Sequence, residues 1–95
     1  MKVIWSPEAR QDLRDIYLYL AAENPYAART LQGRIKQSIR LLRDNPHIGR
    51  SGRVPDTREL VISGTSYIVP YQIREQHLEL LRVYHMARKW REHFP

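Results

Sequence analysis

Apolar residues recur at helical spacing in two consecutive segments of the amino-terminal half of the chain. The first segment follows Ser6-Pro7, which suits the start of a helix because Ser caps a free amide and Pro lacks one. The second follows Asn24-Pro25, where the same signal repeats. The spacing predicts helices over about residues 7–22 and 25–43, and the short link between them predicts an antiparallel hairpin. The apolar stripes consist of Ala9, Leu13, Ile16, Tyr17 and Leu20, and of Ala27, Leu31, Ile35, Ile39 and Leu42.

Short runs of β-prone and alternating residues predict strands on either side of this hairpin. Residues 47–56 between them carry glycine and proline without periodicity, which predicts a loop. Pro70 falls inside a strand and cannot donate a ladder hydrogen bond, so that strand should be an edge or bulged there. The basic, aromatic tail from residue 86 to 95 is expected to be a short helix or coil. The predicted strands cover residues 2–5, 58–62, 67–74 and 78–84.

The order β-α-α-β-β-β predicts an α+β fold. In it, a helical hairpin packs on one face of a small, mainly antiparallel sheet, and the other face is open or covered by a partner. The length of 95 residues predicts a single domain spanning residues 1–95.

Composition excludes several classes of protein. There is no cysteine, which excludes disulfide scaffolds and thiolate metal sites and is compatible with the cytoplasm. No run approaches about 18 apolar residues, and the apolar stretch in residues 1–5 is too short for a signal peptide, so we expect no membrane association.

The formal net charge of +6 arises from 16 basic and 10 acidic residues, and 13 of the basic residues are arginine. Arginine binds phosphate and carboxylate through two parallel hydrogen bonds, which suits an acidic partner, either a nucleic acid or an acidic protein segment. Solvated surface charge explains the same bias equally well. Charge alone therefore names no partner.

No familiar enzyme motif is present, neither a phosphate-binding P-loop nor a dinucleotide fingerprint nor a zinc-protease helix. The basic, glycine-rich run from Gly49 to Arg53 favours an ordinary mobile loop over a phosphate cradle, because no strand precedes it and no helix follows it. The histidines do not lie at ligand spacing, so no metal site and no cofactor are expected. They are His47, His77, His85 and His93.

His85 is the histidine that suits catalysis best, because it ends a predicted strand close to Arg82 and Arg88. A histidine beside cations can act as a general acid or base on a phosphate ester. It can equally cap the strand by hydrogen-bonding to backbone.

Three segments carry a resemblance that covers nearly the whole chain in order. They are Trp5-Ser6-Pro7 with its following helix, Thr57-Arg58-Glu59-Leu60, and the stretch from Tyr67-Ile68-Val69-Pro70-Tyr71 to Leu80-Leu81-Arg82-Val83-Tyr84-His85. This pattern resembles the RelE/ParE superfamily of type II toxin–antitoxin toxins. The resemblance implies the fold predicted above, a cognate antitoxin that neutralises the toxin through an acidic segment, and contact with operator DNA only through that antitoxin.

The superfamily contains two activities. RelE-like members cut mRNA in the ribosome, whereas ParE-like members block DNA gyrase. RelE-like toxins usually carry an arginine where this chain has Ile68, and Met86 interrupts their usual basic residue after the last strand. The segments around Arg58 and from Leu81 to Arg88 resemble the ParE branch, so gyrase is the expected target. A toxin fold that has lost its toxicity is a third possibility.

Each hypothesis assigns residues. A gyrase inhibitor would bind its target through Arg58, Tyr71, Arg82, His85, Arg88 and Trp90. An mRNA endonuclease would use His85 as acid or base, with Arg82 and Arg88 holding phosphate. In either case, the surface buried by the antitoxin is expected to include Tyr17, Leu20, Arg34, Ile39 and Leu42.

Overall fold

A computed structural model describes residues 1–87 of the chain. The two helices lie where the apolar spacing places them, and each ends within one residue of its predicted boundary. The elements are β1 (Lys2–Trp5), α1 (Pro7–Glu23), α2 (Pro25–Asp44), β2 (Arg50–Ser51), β3 (Arg58–Val61), β4 (Tyr67–Ile73), β5 (His77–Leu80) and β6 (Tyr84–His85).

Two capping side chains define the helical hairpin. The Ser6 hydroxyl accepts a hydrogen bond from the Ala9 amide at 2.9 Å, which satisfies a free amide at the start of α1. Asn24 belongs to both helices. Its backbone N–H donates to the carbonyl of Leu20 at 2.7 Å, and its side chain accepts from the Ala27 amide at 3.1 Å. One residue therefore ends α1 and begins α2, which forces the chain to reverse direction.

The strands described within residues 1–87 form one mixed sheet in the order β1-β5-β4-β3-β2, with β6 also paired to β4. β1 lies parallel to β5, and the remaining pairs are antiparallel. The hairpin packs on one face of this sheet. The predicted α+β class and the order of the main elements are confirmed.

Two strand predictions differ from the structure. Arg50–Ser51, expected to lie in a loop, forms β2 by pairing with Arg58 and Glu59. The strand expected over residues 78–84 divides into β5 and β6. Tyr71 pairs with Leu80, whereas Ile68 pairs with Tyr84, so one extra residue bulges out opposite Pro70. The carbonyl of Pro70 accepts from the Leu81 amide at 2.9 Å, but Pro70 has no N–H to return.

The core lies between α2 and the sheet face that carries Val69 and Tyr71. Leu42 and Tyr71, both predicted to bind a partner, are 0% exposed in this conformation. The Tyr71 hydroxyl donates to the carbonyl of Pro46 at 2.8 Å and accepts from the Gly49 amide at 2.9 Å. Its function here is to fasten the segment after α2 to the sheet.

No helix within residues 1–87 is long and apolar enough to cross a membrane. The predicted site residues Arg88 and Trp90, and most of the predicted tail, lie outside the described residues.

Candidate functional site

Glu59 is a nearly buried carboxylate on the sheet face opposite the helices, with 2% of its side chain exposed. Its oxygens accept from Arg50 Nε at 3.0 Å and from the Arg53 amide at 3.0 Å, and the Arg53 side chain approaches to 3.9 Å. This carboxylate therefore binds the basic run from Gly49 to Arg53, the segment weighed above as a phosphate cradle. Sequence analysis missed it because β2 was not predicted, so nothing placed Glu59 opposite Arg50.

Arg58 is half-buried and turned toward the same segment from the other face. Its guanidinium donates to the carbonyl of Gly49 at 2.8 Å and to that of His47 at 3.3 Å. Since these acceptors are backbone groups of its own chain, Arg58 stabilises the connection between α2 and β3.

Arg82 lies at the bulge between β5 and β6 and forms a two-pronged pair with Asp12 of α1. The two hydrogen bonds measure 2.8 and 3.0 Å, and the Val83 amide donates to the same carboxylate at 2.9 Å. The side chains of Arg82 and Asp12 are 15% and 12% exposed. The hydrogen bond to Asp12 raises the pKa of Arg82 above its ordinary value although burial opposes the charge. The pair is a clamp between α1 and the segment that joins β5 to β6.

His85 is exposed, and two carboxylates lie on one side of it. It shares a cavity of about 210 Å³ with Asp12 and Asp15 of α1 and with Tyr67. Its Nδ1 accepts from the Ala87 amide at 3.1 Å, and its ring stands edge-on to that of Tyr67 with centroids 5.3 Å apart. Burial, and secondarily the neighbouring Tyr19, raise the pKa of Tyr67. Arg34 lines a second cavity, of about 420 Å³, together with His85 and Tyr67. Arg88, the other cation expected near His85, lies outside the described residues.

The register of β4 separates the candidate target-binding residues. Arg58 lies opposite Tyr71, whereas His85 lies opposite Tyr67, which precedes Tyr71 by four residues in the same strand. At about 3.3 Å per residue, the two positions are roughly 13 Å apart. Arg58 and His85 are therefore separate along the sheet, and Arg82 between β5 and β6 is paired with Asp12.

The candidate antitoxin-binding residues have mixed exposure. Tyr17, Leu20 and Ile39 are half-buried, while Arg34 is exposed and donates to the carbonyl of Ser63 at 3.3 Å. Exposed large apolar side chains occur at other positions, outside the predicted apolar stripes of the helices. They include Leu18, Tyr19, Tyr26, Leu41, Ile48 and Val61. Within residues 1–87, no cluster of three or more His, Cys, Asp or Glu side chains is arranged to hold a metal ion.

Comparison with known proteins identifies the family. Residues 3–90 match the family model described as the ParE toxin of the type II toxin–antitoxin system, parDE. The chain is 35% identical over 89 residues to the Sinorhizobium fredii protein named "Putative toxin Y4kP", covering 94% of this chain and 92% of that protein. It also superposes on a chain from a structure titled "Chromosomal ParDE TA system from P. aeruginosa". That match has a TM-score of 0.80 at 24% identity and covers 90% of this chain and 95% of the other. The two helices packed on a mixed sheet thus have the fold of that neighbour, and the chain belongs to the ParE toxin family of type II toxin–antitoxin systems.

Proposed function

We propose that this chain is a ParE-type toxin that binds and inhibits DNA gyrase, that it does so without hydrolytic chemistry of its own, and that a cognate antitoxin neutralises it. Membership of the ParE family supports the proposal. The structural observation that carries it is the pairing of arginine with carboxylate: Arg82 is held by Asp12, and Arg50 by Glu59.

Cleavage of RNA through its 2′-hydroxyl needs a proton acceptor, a proton donor and cations that stabilise the charged phosphorane. Arg82, a candidate phosphate-holding cation, is already paired with Asp12. Asp15 lines the cavity beside His85 together with Asp12, whose charge Arg82 balances, and the negative charge of Asp15 opposes the approach of a phosphate. These contacts favour a toxin that acts by binding over one that cuts RNA.

The antitoxin completes the proposed function. A chain with a net charge of +6 attracts an acidic segment of another protein, which accounts for the arginine excess without direct binding to DNA. Under this proposal, operator DNA is contacted through the antitoxin alone. Gyrase acts in the cytoplasm, and we place the toxin there.

Two parallel assays test the proposal with the same purified protein. One measures supercoiling by DNA gyrase, and the other measures mRNA cuts in a translating extract. We expect supercoiling to fall at micromolar wild-type toxin, and we expect mRNA to stay intact with both the wild type and His85→Ala. His47→Ala, which changes an exposed histidine far along the chain, is the matched control.

Intact gyrase activity together with codon-linked mRNA cuts that His85→Ala abolishes would establish the endonuclease instead. Supercoiling that stays complete and mRNA that stays intact, with no growth defect on overexpression, would establish a toxin fold that has lost its toxicity. Either result overturns the proposal.

A further inference from the structure

The solvent-facing side of α2 carries a row of cations. Residues 29, 33, 36, 40 and 43 succeed one another at steps of four and three, which places them on one side of the helix. The buried residues of α2, such as Leu31 and Leu42, lie on the other side. At about 1.5 Å per residue, the row is about 21 Å long. We call it the α2 stripe, and its cations, all exposed, are Arg29, Lys36, Arg40 and Arg43.

The charges of the α2 stripe are not matched inside the protein. Within residues 1–87, none of its cations lies within ion-pair distance of a carboxylate. Arg50 and Arg82 differ, because a carboxylate holds each of their guanidinium groups. Arg34, the remaining arginine of α2, is turned toward the sheet and donates to the carbonyl of Ser63. The four charges of the stripe are therefore available to an outside partner.

The α2 stripe offers charge and almost no apolar surface. Its remaining position is Gly33, where an added methyl group would meet nothing within 4 Å. The large exposed apolar side chains of α2 are Tyr26 and Leu41. Tyr26 lines a cavity toward the turn between β3 and β4, and Leu41 lines a cavity toward β3. A partner of the stripe would therefore be held by its negative charge rather than by apolar contact.

We propose that the α2 stripe of the free toxin binds the sugar–phosphate backbone of duplex DNA, namely the duplex that gyrase holds. The inference rests on the proposed function because gyrase supplies the DNA. Duplex DNA carries one negative charge per about 1.7 Å of its axis, so several phosphates lie within reach of a row of this length. Arginine and lysine bind phosphates without reading the bases. The stripe therefore selects no sequence, and recognition of the operator stays with the antitoxin.

Other acidic partners fit the α2 stripe less well. An acidic amphipathic protein segment and an anionic membrane both need apolar contact in addition to charge. Single-stranded RNA is bound through bases that stack on aromatic side chains. The five positions of the stripe hold neither an apolar nor an aromatic side chain. Gly33 leaves open space between Arg29 and Lys36, where a phosphate backbone can approach the helix closely.

Two double variants with the same net charge test the proposal. Lys36→Gln/Arg40→Gln removes two cations of the stripe, while Arg10→Gln/Arg14→Gln removes two exposed arginines of α1. Each lowers the formal net charge from +6 to +4, so general electrostatic attraction falls equally. The probe is a short duplex of arbitrary sequence, and its binding is followed by fluorescence anisotropy without gyrase between about 50 and 200 mM salt. Circular dichroism of each variant verifies folding.

We expect the binding constant of the wild type to fall with about the third to fourth power of the salt concentration, because four phosphate contacts release their counterions. The stripe variant should lower this power by about 2 and weaken binding at least about 10-fold at the lowest salt concentration. The α1 variant should keep the power of the wild type within about 0.5. The stripe variant should also need several-fold more toxin than the α1 variant to inhibit supercoiling.

A second pair of variants tests the stripe without removing a cation. Gly33→Glu places a carboxylate in the middle of the row, and Gly33→Gln places a neutral side chain of similar size there. Both side chains have open space around them. Gly33→Glu should weaken duplex binding several-fold more than Gly33→Gln, because the carboxylate repels phosphate.

Equal salt dependence of the two double variants would overturn the assignment of the stripe. Equally tight, stripe-dependent binding of single-stranded RNA or polyglutamate would assign it to acidic polymers in general, which also overturns the proposal. Equal toxin requirements for inhibiting supercoiling would show that the duplex held by gyrase is not its ligand. Stripe-dependent duplex binding by a wild type that leaves supercoiling complete would instead count against the proposed function.

Discussion

Removing the carboxylate of Asp12 should destabilise the fold more than removing any exposed charge. Asp12 accepts three hydrogen bonds, two from the Arg82 guanidinium and one from the Val83 amide, all between 2.8 and 3.0 Å. In Asp12→Ala, the guanidinium and the amide lose these partners while most of their surroundings stay intact. Only 15% of the Arg82 side chain is exposed, so water replaces the carboxylate poorly.

Breaking a buried ion pair by removing one partner costs about 3–5 kcal/mol. Since both side chains keep some contact with solvent, we place the loss of unfolding free energy at the lower end, about 3 kcal/mol. In a domain of this size, each kcal/mol lowers the melting temperature by about 4–8 °C, so a fall of roughly 12–24 °C is expected.

Urea and thermal unfolding followed by circular dichroism measure the effect. Asp15→Ala is the matched control, because Asp15 lies on the same helix and its contact is an exposed hydrogen bond from Gln11 at 2.7 Å. It should stay within about 0.5 kcal/mol of the wild type. The double variant Asp12→Leu/Arg82→Met, which replaces the pair with apolar side chains, should regain much of the loss. If Asp12→Ala and Asp15→Ala have the same melting temperature, the clamp contributes no stability and the predicted loss of about 3 kcal/mol is refuted.

Three further substitutions test other parts of the structure. Glu59→Gln should lower the unfolding free energy, measured in urea, by about 1–2 kcal/mol. The Arg50 guanidinium loses its charged acceptor, but it is half exposed, so water replaces part of the contact. An unchanged urea midpoint would contradict the pairing. Burial raises the pKa of Tyr71 above its ordinary value of 10.0. The protonated phenol therefore stabilises the fold fully below pH 10.0, and this stabilisation is lost as the pH rises through the higher pKa of the folded state. Tyr71→Phe should therefore lose less stability than the wild type when the pH is raised above about 10, and equal slopes would argue against this role. Gly33 lies at an exposed position of α2, with nothing within 4 Å of an added methyl group. Gly33→Ala should therefore raise the unfolding free energy by about 0.5–1 kcal/mol, measured by thermal unfolding. A loss of stability would mean that α2 is interrupted there.

The helices could be predicted because their signals are local. Ser6 and Asn24 cap helices through contacts three residues along the chain, and the apolar stripe continues between the caps. The bulge at Pro70 was also foreseeable, since a residue without an N–H must interrupt the ladder. The β2 strand was not foreseeable, because two residues pair only where β3 happens to run beside them.

The site could be predicted only in part, because its decisive contacts are distant in sequence. Asp12 and Arg82 are 70 residues apart, and no local pattern distinguishes an arginine held by a carboxylate from one that awaits a partner. The apolar stripe separated Leu42, which is 0% exposed, from its neighbour Leu41, which is 53% exposed. It did not show that Leu20 and Ile39, within the stripes, would be only half-buried. The degree of burial is decided by what the fold places opposite a side chain.

The most direct test of the central claim is a titration of gyrase-catalysed DNA supercoiling with the purified toxin, repeated after adding the antitoxin in equal amount. We predict that supercoiling falls as toxin rises and returns when the antitoxin is present. Supercoiling that stays complete at every toxin concentration, with or without the antitoxin, would contradict the account.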